Sequence, residues 1–167
     1  MRRLLLPVIL LLIASVVFAW WWNQPGRVIA RRVADLFEAA NIPADMSNIG
    51  RGTRGSAIEP YIAKNVLFEG PDGPADELEG SQSRDFVTQT YSGLATYCRS
   101  ATVQDVEVQD VRVSGEEAEV KATIDAVVEL PNAQRPIDGI QHLDMTWKKE
   151  DGKWKLARAK WTEGPRK

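Results

Sequence analysis

His142 is the only histidine in the 167 residues, and it stands two positions before Asp144 in the stretch GIQHLDM. An imidazole titrates near neutral pH, so a His beside a carboxylate can take a proton from a small substrate and return it. Asp125 is the further carboxylate that an alternating strand could bring alongside. Strand geometry limits this chemistry. Residues 142 and 144 share one face of a strand, opposite the face carrying Leu143, Met145 and Trp147. If those three fill a core, His142 and Asp144 look out to solvent, and Asp125 turns outward as Ile124 turns in. No catalytic residue is therefore assigned; His142, Asp144 and Asp125 are the set that the opposite register would bring inward. With one His, one Cys and no carboxylates clustered at ligand spacing, neither a metal nor a cofactor is expected.

Aromatic side chains offer a different chemistry, a dry cavity for a small apolar ligand. Tyr61, Phe68, Phe86, Tyr91, Tyr97, Met145 and Trp147 are the candidates for its lining. The same residues also suit an ordinary core, and in a hollow domain the two roles overlap. Gly50-Arg51-Gly52-Thr53-Arg54-Gly55 resembles a phosphate loop only in its glycines. It lacks a preceding strand and a Gly-Lys-Ser/Thr ending, so it reads as a flexible turn. Lys148, Lys149, Lys153, Lys155, Arg158 and Lys160 make the last hairpin basic. Lysine on a strand edge blocks stray pairing, and that reading is preferred to a face for anionic lipid or an acidic partner.

Several elements must position these residues. RVIARRVADLFEAANI places Ile29, Val33, Leu36, Phe37 and Ala40 on one stripe, the 3.6-residue period of a half-buried helix. Residues 43–60 read as an irregular or short-helical connection and residues 61–69 as a strand. Ser81 offers a cap for a helix through Cys98, with Val87, Tyr91, Leu94 and Cys98 on its apolar face, widened by Phe86, Thr90 and Tyr97. After residue 101 the period falls to 2. Ala118, Val120, Ala122, Ile124, Ala126, Val128 and Leu130 alternate with polar residues as a long half-buried strand. Phase slips at Gln109-Asp110 and at Leu156-Ala157 predict bulges, and Asp151-Gly152 predicts a tight hairpin.

Residues 4–22, LLLPVILLLIASVVFAWWW, are apolar throughout and end in Trp20, Trp21 and Trp22. A bilayer core takes about 20 apolar residues of helix, and Trp prefers its wet boundary. Residues 1–22 are expected to be a membrane anchor, retained in preference to being cleaved as a signal: the run exceeds a signal core, and Trp20 would follow the cut. Residues 23–26, NQPG, form a linker, residues 27–163 the domain and residues 164–167 a tail. Arg27, Arg31 and Arg32 after the span outnumber Arg2 and Arg3 before it, an awkward count for export. The short leading end and free amino terminus still favour an exported domain, in a bacterial inner membrane with the domain in the periplasm. Residues 1–22 hold two Arg and no acid, leaving 19 basic and 23 acidic side chains beyond them. That balance gives no electrostatic reason to expect nucleic acid. Cys98 is the only cysteine, so no internal disulfide forms.

Helices, a strand and a further helix, then a four-stranded meander ending in LDMTWKKEDGKWKLARAKW, resemble the nuclear transport factor two-like (SnoaL-like) superfamily over residues 27–163. The resemblance implies an α+β fold of cystatin-like character, a cone-shaped curled antiparallel sheet wrapped around helices. It allows dehydratases and isomerases as well as binding modules without catalysis. A single span leading directly into such a cone is also similar to the inner-membrane assembly factor of type IV secretion systems. The expected function is thus a non-catalytic, membrane-tethered domain that binds a protein partner. The alternative is a pocket protein or lyase/isomerase for a small apolar molecule, with His142 as base.

Overall fold

The structure, a computed structural model, describes residues 13–18, 20–71, 78–132 and 136–164. Helix α1 (Pro25–Ala39) starts with Pro25 in its first turn, where the missing N–H costs nothing. Its stripe Ile29, Val33 and Leu36 is buried, and Phe37 and Ala40 pack at the margin of the same core. Two short helices follow, α2 (Asn48–Gly52) and α3 (Gly55–Ile58), then a 3-10 turn over Glu59–Tyr61. The remaining elements are β1 (Ile62–Glu69), β2 (Gly80–Ser83), α4 (Arg84–Tyr97), β3 (Ser100–Ser114), β4 (Glu117–Glu129), β5 (Ile137–Glu150) and β6 (Lys153–Gly164).

The strands form one sheet in the order β2-β1-β6-β5-β4-β3. β3 to β6 are the expected antiparallel meander, while β1 joins β6 in parallel. Both anticipated slips are bulges: Gln109 is the extra residue between the pairs Val108–Ala122 and Asp110–Lys121, and Ala157 the one between Leu156–Trp147 and Arg158–Thr146. A further bulge, opposite Ile124, holds Asp105 at φ 49°. Such insertions bend and twist a strand, which is what curling this sheet requires. Asp151 and Gly152, at φ 51° and 76°, make the tight turn between β5 and β6.

The start of α4 corrects one expectation. Ser83, not Ser81, is the cap, its hydroxyl accepting from the Phe86 N–H at 3.3 Å. Ser81 instead pairs with Leu67 as part of β2. The run of four polar-to-small residues carries no apolar alternation from which a strand could be read.

The main core lies between α1, α3 and the inner face of the sheet: Ile29, Val33, Ile58, Val66, Val120 and the fully buried Trp147 are among its members. A smaller cluster of Ile42, Ala95, Cys98 and Ala101 closes the far end of α4. Residues 13–18 and 20–22 of the apolar run are helical and exposed, and among the described residues no helix is long and apolar enough to cross a membrane. Residues 1–12 and 19, on which the anchor expectation also rests, lie outside the described residues.

Candidate functional site

Sheet register decides where the titratable candidates point. Thr123, His142 and Thr162 form one cross-strand row, and Lys121, Asp144 and Lys160 form the next. Both rows lie on the face opposite Ala122, Leu143 and Met145, so His142 and Asp144 are on the solvent side. His142 Nδ1 is 3.2 Å from Thr123 Oγ1, which also accepts from Gln109 Nε2 at 2.9 Å. Asp144 is engaged by Lys121 at 3.4 Å. Asp125 registers with Gln104 and Ile140 and is half-buried. The structure does not bring the imidazole and these carboxylates together on the inner face.

Their side of the sheet is a shallow groove of about 290 Å³, with Asp110, Arg112, Glu119, Lys121, Asp144 and Arg158 along it. Charges of both signs alternate there, and pairs neutralise one another: Arg112 with Asp110 at 2.8 Å and Arg158 with Glu69 at 2.5 Å. The hydrogen bond from Arg158 holds the Glu69 carboxyl below the ordinary carboxylate range. Self-compensated exposed pairs of this kind leave little net field for a charged ligand.

On the inner face the alternation yields Ala118, Val120, Ala122 and Ile124 from β4, with Leu143, Met145 and Trp147 from β5. Two polar side chains share that face by register, Gln141 and, directly across from it near the end of β6, the exposed Glu163. Gln141 stands opposite Ile124 and Glu163, is half-buried, and its Oε1 has no hydrogen-bond partner. The Trp147 indole N–H is likewise buried without one. Gln141 is not titratable, and its parity with Leu143 and Met145 is the sequence signal that places it on this face.

The seven aromatic and sulfur candidates separate. Met145 and Trp147 lie in the main core. Tyr61 is half-buried beneath the Arg32 guanidinium, 4.4 Å from its ring, and Phe68 meets Trp161 edge-on at 6.5 Å. The Tyr91 hydroxyl donates to the Ala40 carbonyl, and burial pushes its pKa well above the usual value. Phe86 and Tyr97, expected to face inward, are 41% and 58% exposed. The reason is how α4 docks. Gly55 comes so close that an added Cβ would stand 2.0 Å from the Thr88 carbonyl oxygen, and its N–H donates to Ser92 Oγ at 2.9 Å. That contact rotates the buried line of α4 to Val87, Tyr91 and Ala95 and leaves Phe86, Leu94 and Tyr97 outside.

Gly50–Gly55 is no flexible turn. Arg51, 7% exposed, donates to the carbonyls of Pro43, Ala44, Met46, Ala95, Cys98 and Arg99 at 2.7–3.2 Å. Arg54 holds the Asn41 carbonyl at 2.6 Å through Nη2 and 3.0 Å through Nε. Both guanidiniums are structural, and the segment has no donors arranged for a phosphate. Among the described residues no group of three His, Cys, Asp or Glu could hold a metal.

Neither a protein-family profile nor a curated protein sequence matches the chain. Solved structures do. A candidate scytalone dehydratase from Novosphingobium aromaticivorans is 18% identical, with a TM-score of 0.61 and 83% of each chain covered. A ketosteroid isomerase-like protein from Erwinia carotovora atroseptica is 14% identical, with a TM-score of 0.61 over 86% of this chain and 99% of that one. An NTF2-like protein from Cytophaga hutchinsonii is 17% identical, with a TM-score of 0.59 over 84% and 99%. At such identities the likeness carries architecture and no activity. With its curled six-stranded sheet, bulged meander and helices packed on the inner face, the chain has the NTF2-like, SnoaL-like fold.

Proposed function

We propose that the chain is a membrane-anchored, exported, non-catalytic cone domain that binds a protein partner in an envelope complex. The observation that carries this reading is the polarity of the two sheet faces. His142 and Asp144 stand on the solvent side in contact with Thr123 and Lys121, whereas the inner face is built from Ala, Val, Ile, Leu, Met and Trp. Proton transfer within the cone needs an imidazole or carboxylate beside the substrate; His142 and Asp144 face the other way, and Glu163, which shares the inner side by register, is exposed near the end of β6. The apolar leader of residues 4–22 and its three terminal Trp supply the membrane part of the proposal.

A second reading has one observation in its favour. Gln141 offers a half-buried, unpartnered carbonyl oxygen among apolar neighbours, a fitting acceptor for a hydroxyl or amide of a small apolar ligand. Two of the structures similar in fold are named as a dehydratase candidate and as isomerase-like.

Purification from detergent-solubilised membranes, with and without residues 1–22, separates the two. A stoichiometric companion protein that stays bound to the full chain supports the assembly reading. A lone monomer carrying a small molecule, released by Gln141→Leu, supports the pocket and overturns it.

A further inference from the structure

The junction between the apolar leader and the domain is more organised than a tether requires. Phe18, Trp20, Trp21 and Trp22 are 58%, 69%, 40% and 47% exposed, and Ile13, Val16 and Val17 are exposed with them. So much contiguous apolar surface marks an interaction site on a soluble domain. The Phe18, Trp21 and Trp22 rings cluster with centroids 5.6–6.5 Å apart, Phe18 stacked on Trp22 and Trp21 tilted against both. Two cations cover that cluster. The Arg27 guanidinium lies 3.5 Å above the Trp21 ring and the Arg31 guanidinium 4.3 Å above Trp22, where Arg31 also donates to the Trp22 carbonyl at 2.8 Å.

Stacking occupies the flat face of a guanidinium and leaves its edge N–H groups, the fork that fits a phosphate bidentately. Indole and phosphate prefer the same depth, the wet boundary of a bilayer. Arg32, one residue on, is committed elsewhere. It donates to the Trp154 carbonyl at 3.2 and 3.3 Å and to the Pro60 carbonyl at 2.8 Å, and it lies over Tyr61.

We propose that Trp21–Arg27 and Trp22–Arg31 form a clamp for the phosphates of anionic phospholipid, which seats the domain against the bilayer surface at a set rotation about its leader helix. The proposal rests on the membrane-anchored reading of residues 4–22 and adds its lipid partner. It also eases the charge count across the span. With Arg32 bound into the domain, two lipid-facing arginines follow the span, no more than Arg2 and Arg3 before it.

The test is lipid selectivity of the full chain reconstituted in phosphatidylcholine vesicles, read with spin-labelled phosphatidylglycerol against spin-labelled phosphatidylcholine. Phosphatidylglycerol is expected to be preferred, and Arg27→Gln and Arg31→Gln each to lower the preference about fivefold, the effect of one surface cation. Arg32→Gln should leave it unchanged. A wild-type chain without preference, a double variant that keeps it, or release of the labelled lipid by inorganic phosphate at equal concentration overturns the clamp. Alkaline extraction of the same membranes tests the underlying reading separately: a chain released into the supernatant is not anchored at all.

Discussion

Among the described residues no carboxylate pairs with the buried Arg51 cation, and replacing it tests the helical layer. In Arg51→Met the stem keeps most of its packing volume while all five N–H donors vanish. Two of the carbonyls then stranded, Ala95 and Cys98, are in fully buried bonds at 2.9 and 2.8 Å. Each unmet buried acceptor costs about 1–3 kcal/mol. The other four carbonyls are part-buried and can turn to water. Ala95, Cys98 and Arg99 lie at the negative end of α4, so the loss of a cation there adds about 0.3–1 kcal/mol. Relief from burying a charge offsets part of this. The net expectation is about 3–5 kcal/mol, or about 10–15 °C in melting temperature for a domain of this size. Arg51→Lys should recover less than half, because a single ammonium cannot span carbonyls from both α4 and the segment before α2. Melting of the full chain in detergent, followed by the fluorescence of Trp147 and Trp154, reads the effect. An Arg51→Met chain melting within about 3 °C of the parent refutes the argument, since those carbonyls would then not need the guanidinium.

Gly55→Ala places a methyl 2.0 Å from the Thr88 carbonyl oxygen and 2.8 Å from Ser92 Oγ. The obstacle is backbone and cannot swing aside, so a loss of about 1–3 kcal/mol is expected in the same melting assay. Tyr91 gives a pH signature. Its folded pKa is raised above the ordinary 10.0, so stability is full below pH 10 and declines as the unfolded chain ionises above it. Tyr91→Phe should flatten that alkaline decline and cost about 0.5–1.5 kcal/mol at neutral pH, because it removes the donor to Ala40. His142→Ala and Asp144→Asn, both on the solvent side, should each leave stability within about 0.5 kcal/mol in the same melting assay.

Period was the most legible part of the fold. β4 alternates so regularly that its register against β5 follows from which residues are apolar, and both phase slips became bulges because a one-residue insertion is the only way to keep Val111 and Ala159 in their rows. β2 escaped notice since Gly80–Ser83 has no apolar member, and its pairing with β1 is purely backbone. The orientation of α4 departs from its sequence pattern for a different reason. Phe86, Val87, Tyr91, Leu94 and Tyr97 span an arc too wide to choose a centre, and the choice is made by the approach of Gly55, which is tertiary. Arg51 is the extreme case. Between two glycines it reads as a solvated charge, and only the convergence of carbonyls from two segments, residues 43–46 and 95–99, makes it internal. For the site, alternation separates His142 from Leu143 and puts Gln141 with Leu143 and Met145; it carries no information about the unmet acceptor that Gln141 brings there.

Arginine has a consistent use across this domain. Arg32 ties α1 to β6 and to the turn before β1, Arg54 ties α3 to the chain leaving α1, and Arg84 ties α4 to the Ile62 carbonyl and to Glu150 at 3.2 Å. With Arg51, each joins a helix to another segment through main-chain oxygen. A planar fork can bridge two or three carbonyls that no secondary structure satisfies, which compact turns between short helices leave in number. The consequence is electrostatic as well as structural. These four cations are spent inside the fold, and much of the outer sheet face is paired off, Arg112 with Asp110 and Lys121 with Asp144. The positive groups that remain distinctive by position are then Arg27 and Arg31, lying on indole rings beside an apolar leader. A chain with a near-neutral total charge can in this way present its cations where a bilayer would meet them, without presenting a basic surface to solvent.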